Sequence, residues 1–245
     1  MASEDNKTEV TNETAAGGKK PFITEARLEI CIAILLGITA FLMAWASWIS
    51  SLHGGNQATN YTKSNNLAAE GNADWNEASQ VMMQDMLVWN TIVDYSFDSE
   101  IARSKGLKEE ADAIDQKMQK LMTDNCSPQM LDAIVWASGQ NTLENPFNKE
   151  GFKESYFTEA QEKLAESQAL LEQGMADNAN GDKYGLVSVF YSLVLFLLGI
   201  VGIFKRIPNR IILVVISLVF LVIASIYMAT IPLPTDFSLA NYFKA

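Results

Sequence analysis

The sequence predicts an all-α integral membrane protein, with three transmembrane helices and an extracytoplasmic helical bundle or hairpin domain. Three observations lead there. Residues 30–52, 184–204 and 211–231 carry no charged side chain, and each window is long enough to cross a hydrocarbon core of about 30 Å at about 1.5 Å per helical residue. The segment between the first two windows repeats its apolar residues every three or four positions, the period of a helix face. No alternating run of useful length suggests a strand.

The elements follow in order. Residues 1–27 are polar, lack periodicity and contain Gly17-Gly18-Lys19-Lys20; they are expected to form a disordered cytoplasmic tail. Residues 28–52 are the first span. Ala44-Trp45-Ala46 before Ser47 has the small-x-small shape of a signal cleavage site. The apolar run continues past it through Trp48 and Ile49, so the span is expected to be retained. Residues 53–183 form the extracytoplasmic domain. Residues 184–204 and 211–231 are spans two and three, joined by the basic loop 205–210 (KRIPNR), and 232–245 form a second extracytoplasmic tail.

Lysine and arginine set the orientation. Lys19, Lys20, Arg27, Lys205, Arg206 and Arg210 fall on one side of the predicted spans, while only Lys63, Lys183 and Lys244 lie close to them on the other. The positive-inside rule then puts the N-terminus and the KRIPNR loop in the cytoplasm. Trp45, Trp48 and Tyr184 suit the aromatic belt of the opposite interface. The expected location is a plasma membrane, with the lipid bilayer as the first partner.

Within 53–183 a long helix is expected to begin near Trp75 and to bury Trp75, Ala78, Met82, Met86, Trp89, Val93 and Phe97. Leu107, Ala111, Ile114, Met118 and Leu121 form a short heptad seam, as in a coiled coil. Ser127-Pro128 pairs an N-cap residue with proline at the first helical position and opens a short helix that Gly139 ends. Residues 140–148, with Asn145-Pro146, read as a loop. A last helix carries Phe157, Ala160, Leu164, Leu171 and Met175 on one face and leads into span two. In the spans, Ala33, Gly37, Ala40 and Ala44, then Gly185, Ser188, Ser192, Gly199 and Gly202, allow helices to approach closely within or between chains.

Charge and residue counts exclude several functions. The chain carries −11 overall, and residues 53–183 alone hold 22 acidic and 10 basic side chains, or −12. Such a domain repels nucleic acid, so no nucleic-acid partner is expected. The windows 30–52, 184–204 and 211–231 contain no Asp, Glu, Lys, Arg or His, unlike most pumps and ion-coupled carriers. Cys31 and Cys126 read as a buried small residue and a lone thiol. The single histidine, His53, stands beside the predicted membrane exit and reads as an interfacial polar residue. The acidic groups Asp94, Asp98, Glu100 and Glu109, Glu110, Asp112, Asp115 read as solvated helix faces. Residues 177–182 (DNANGD) open like a calcium loop, but Ala179 replaces a ligand and Ser188 stands where the bidentate glutamate belongs. The methionines over 82–130 read as core filler rather than soft-metal ligands. Nucleotide, zinc-protease, hydrolase and C-x-x-C motifs are all missing. No catalytic, cofactor-binding or metal residues are therefore assigned, and no cofactor is expected.

One resemblance adds to this. Residues 60–78 (NYTKSNNLAAEGNADWNEA) form an Asn/Ala-rich helix running to a tryptophan, and 160–184 an Ala/Glu/Leu-rich helix feeding span two. With one span, a helical domain and two spans joined by a basic loop, the chain resembles an uncharacterised family of bacterial three-span membrane proteins, a domain of unknown function. The resemblance covers about residues 28–231. It implies a bacterial envelope protein and brings no catalytic residues. The function expected is that of a non-enzymatic structural or interaction protein, through self-association or as an accessory subunit of an envelope complex with another membrane protein. The alternatives are an extracytoplasmic small-ligand sensor that signals through a partner, and a small channel.

Overall fold

The computed structural model describes residues 24–140, 144–235 and 237–240. The predicted tail over 1–27 lies outside the described residues up to position 23. Five α-helices carry the described chain: α1 (Glu25–Ser104), α2 (Lys108–Asn125), α3 (Pro128–Ser138), α4 (Phe152–Ile200) and α5 (Ile207–Thr230). Short 3-10 turns at Pro146–Asn148 and Val201–Ile203 complete it, and there is no strand among the described residues. The all-helical class is as predicted. Three of these helices are long and apolar enough to cross a membrane.

The described residues divide into two compact units: an apolar unit of 24–48 with Tyr184–Ile231, and a polar unit of Ile49–Lys183 with the described residues after 231. Within the apolar unit, Val187, Tyr191, Val194 and Leu198 of α4 are buried, as are Ser217, Leu221 and Ala224 of α5. The Tyr191 and Ser225 hydroxyls lie 3.1 Å apart, and Tyr184 donates to the Ile231 carbonyl at 3.2 Å. Elsewhere on these helices large apolar side chains face outward, Phe41 and Phe196 among them. Such a surface matches hydrocarbon rather than water.

Within the single chain Ala33, Gly37, Ala40 and Ala44 are exposed, and α1 buries Leu28, Thr39 and Ala46. One expectation for this unit changes. Arg210 belongs to the first turn of α5, not to a loop. It is buried and paired with Glu25 at 2.9 Å and Glu29 at 3.6 Å.

The polar unit departs further from expectation. The predicted helix start near Trp75 does not exist, because α1 runs unbroken for 80 residues. Gly54, Gly55 and Gly71 lie inside it, each weakening a helix by about 1 kcal/mol relative to alanine. Packing against α4 outweighs that cost. Ser50, Gln57, Ser64, Gly71, Ala78, Asp85, Ile92 and Ser99 recur every seven residues, and all are buried or half-buried. Ala160, Ser167, Gly174 and Gly181 of α4 do the same. This is the heptad spacing of a helix seam. Contacts run antiparallel: Asp74 meets Lys163, Ser64 meets Ser167 and Ser50 meets Gly181.

The face predicted for α1 is correspondingly rotated. Ala78, Met82 and Trp89 pack on the core of Met130, Ala133, Phe152 and Tyr156, but Met86 and Phe97 are exposed and Asp85 and Ile92 are buried. On α4, Leu171 and Met175 are likewise exposed, while Ser167 and Asp177 are buried. The seam over 107–121 buries Ala111 and half-buries Ile114, Met118 and Leu121.

Local signals behave as predicted around α3, where the Ser127 hydroxyl accepts from Met130 N–H at 3.1 Å. Gly106, at φ 78°, ends α1. The Leu107 N–H reaches the Ala102 carbonyl and the Gly106 N–H the Arg103 carbonyl, the paired bonds of a Schellman close.

Candidate functional site

Three features of the polar unit hold its chemistry. The first is a buried polar centre on the seam. One heptad along α1 from Ala46, His53 is only 1% exposed. Its Nδ1 lies 2.8 Å from Asp177 Oδ1, and its Nε2 lies 3.2 Å from the Pro232 carbonyl oxygen. Asn60, the next heptad position, donates to Asp177 Oδ2 at 3.3 Å. Asp177 has not become part of a loop: DNANGD is helical throughout, inside α4. His53 is therefore buried among polar partners of its own unit. It joins α1, α4 and the segment after α5, and close packing near Gly181 makes room for it. A Cβ at Gly181 would stand 3.4 Å from His53 Cβ.

The second is the hydroxyl chain around Asp85, a carboxylate that is 1% exposed. Asp85 accepts from Ser127 N–H at 2.8 Å and from the Tyr156 hydroxyl at 2.7 Å. Ser127 in turn donates to Tyr156 Oη at 3.3 Å. Burial pushes the Tyr156 phenol well above its ordinary value. Burial, then the charge of Asp85, also pushes the Cys126 thiol up. Both shifts favour the protonated form, and Tyr156 uses its proton to donate to Asp85. Beside this chain is a cavity of about 290 Å³, lined by Asp74, Glu77, Gln129, Tyr156 and Glu159 among others. Lys163 neutralises part of that wall, bonding Asp74 at 2.6 Å and Glu159 at 3.3 Å.

The third is an apolar stripe on the outside of α1. Met83 (56% exposed), Leu87 (69%), Phe97 (60%) and Ile101 (49%) share a face with Met86. At about 100° per residue it lies opposite the buried Asp85, Ile92 and Ser99. Asp94 interrupts the stripe, and Asp98 and Glu100 flank it. No lysine or arginine occurs over residues 64–102.

Among the described residues, no group of three or more His, Cys, Asp or Glu side chains is placed to hold a metal ion. In the acidic group of α2, Asp115 accepts from Ser99 at 2.6 Å and pairs with Arg103, which also approaches Asp112 at 3.9 Å.

Sequence reasoning singled out His53 and Asp177 without seeing that they pair, and missed Asp85. Hydropathy carries no trace of them. Their one sequence signal is the seven-residue recurrence of small and polar types through 50–99 and 160–181. No family model, curated protein or solved structure matches the chain.

Proposed function

We propose that this chain is a non-enzymatic interaction protein of a bacterial plasma membrane. It is threaded three times, with its N-terminus in the cytoplasm and residues 53–183 outside. It acts as an accessory subunit that presents the Met83–Ile101 face of α1 to another protein. The exposed stripe carries this reading. An apolar face of this length, opposite an already filled core, has no role in the fold of the chain itself. Its charge selects the partner. With acidic residues along it and no basic ones, the stripe fits an apolar helix flanked by lysine or arginine. A second copy of the same face would bring Asp94, Asp98 and Glu100 against one another.

The test is a photo-reactive residue at position 87, activated in native membranes, with the adduct identified by mass. A stoichiometric adduct to a protein that offers a basic amphipathic segment, abolished by Phe97→Asp, is expected. Leu87 is exposed, so Leu87→Asp is expected to change stability by no more than about 0.5 kcal/mol, and loss of the partner then reports binding rather than unfolding. An adduct only to a second copy would make the protein a homo-oligomer. A monomer without an adduct that gains thermal stability with a cationic metabolite would favour the sensor reading, and the acidic cavity beside Tyr156 would be its site.

A further inference from the structure

The His53 centre has a proton count that can be read from its geometry. Both ring nitrogens face acceptors: a carboxylate oxygen at 2.8 Å and a peptide carbonyl at 3.2 Å. A neutral imidazole carries one N–H, so one of these contacts would set a ring lone pair against an oxygen lone pair. Only the imidazolium donates to both. We propose that protonated His53 is a latch: its Nδ1–H is held by Asp177 and its Nε2–H holds the Pro232 carbonyl, and loss of the Nε2 proton releases the segment that follows α5.

The surroundings favour this division of labour. Asp177 is the charged group facing the ring from α4, and Asn60 orients its second oxygen. The carboxylate keeps the Nδ1 proton, so the proton that leaves is the one shared with the uncharged carbonyl. The other charged residues along these stretches of α1 and α4, namely Lys63, Glu172, Asp182 and Lys183, are exposed. From the tail, Asp236 lies outside the described residues. The tail also makes a polar contact from Gln173 to the Thr235 hydroxyl at 3.4 Å, which is long and exposed, and it buries Pro234. The sign follows directly. The latch is closed while the ring carries both protons and opens when the Nε2 proton is lost, so it opens in the direction of rising pH.

The chain has one histidine, so the native protein labelled with ¹⁵N-histidine shows this ring and no other. The experiment follows the two ring-nitrogen signals of the full chain in lipid nanodiscs from about pH 5 to 9. In parallel, a spin label at Leu233→Cys, an exposed position, reads the motion of the tail, with Cys31 and Cys126 replaced by serine. Two N–H protons at the acid end are expected. Loss of the Nε2 proton should coincide with a several-fold rise in label mobility, and His53→Gln should leave mobility independent of pH. A ring that stays neutral throughout would overturn the proposal. So would a ring that titrates while the tail keeps its motion, or a pH step that survives in His53→Gln. The ring measurement uses the unaltered chain, so it decides the proton count even if a variant fails to fold.

Discussion

The polar unit is held together in two different ways along its length. From about residue 50 to 74, α1 meets α4 through glycine and serine, and the backbones themselves are in contact range. Ser64 Oγ donates to the Ser167 carbonyl and Ser167 Oγ to the Ser64 carbonyl, both at 2.8 Å. A Cβ at Gly71 would fall 2.9 Å from Leu164 Cγ and 3.2 Å from the Ala160 carbonyl. Beyond Ala78 the helices are spaced by bulk. Phe152 packs edge-on to Phe147 and Tyr156 with ring centroids 5.5 and 5.3 Å apart, and α3 fills the rest. The first half excludes side chains to gain backbone hydrogen bonds. The second uses ring burial, and a single carboxylate, Asp85, to fix where α3 begins.

That contrast can be tested, starting with the largest effect. Asp85→Ala leaves the Ser127 N–H and the Tyr156 hydroxyl without their acceptor in a buried place. Its expected cost is about 3 kcal/mol, read as a fall in melting temperature on the order of 10 °C for a chain of this size. Ser167→Ala, in the other half, removes ordinary neutral hydrogen bonds and should cost about 1 kcal/mol. Equal losses in the two variants would mean that the halves are not distinct.

Glycine substitutions sharpen the same point. Gly71→Ala must push Leu164 and the α4 backbone, an overpacking cost of about 2 kcal/mol that exceeds the helix-propensity gain of about 1 kcal/mol. Gly54 has nothing within 4 Å of a built Cβ, so Gly54→Ala should stabilise by up to about 1 kcal/mol. Opposite signs in thermal melts are expected, and equal gains would show that the helices do not approach closely at Gly71.

The smallest effect concerns the far end of the aromatic half, where α2 docks on α1. The Ser99 hydroxyl, with Arg103 beside it, holds the Asp115 carboxyl below its usual range, although its partial burial works the other way. The stability this gives is present above the ordinary carboxylate value of about 3.9 and is lost as pH falls through the lowered one. The protection of α2 amides against hydrogen exchange, corrected for the intrinsic pH dependence of the exchange, should therefore fall in acid, and Ser99→Ala should move that change to higher pH. An unchanged acid midpoint in Ser99→Ala would remove Ser99 from the account.

Much of this was legible in the chain, for physical reasons. Hydropathy measures transfer of each side chain out of water, so the three uncharged stretches and the helical class follow from composition and period alone. The cap at Ser127-Pro128 is equally local, because it needs only the residue and the peptide next to it. Which face of α1 is buried is not local. Ser64, Gly71, Asp85 and His53 are polar or small, and in isolation each belongs in water or in a turn. They are buried only because α4 presents Ser167, Gly174, Tyr156 and Asp177 at the matching heptads, where every donor finds an acceptor. Apolar periodicity therefore pointed about one position away from the true seam, toward Met86 and Phe97, which the folded chain leaves outside. Residue type fixed the helices and the stretches suited to hydrocarbon. The tertiary structure alone decided which polar groups meet, since a hydrogen bond depends on two partners that the sequence sets 71 residues apart at Asp85 and Tyr156 and 124 apart at His53 and Asp177.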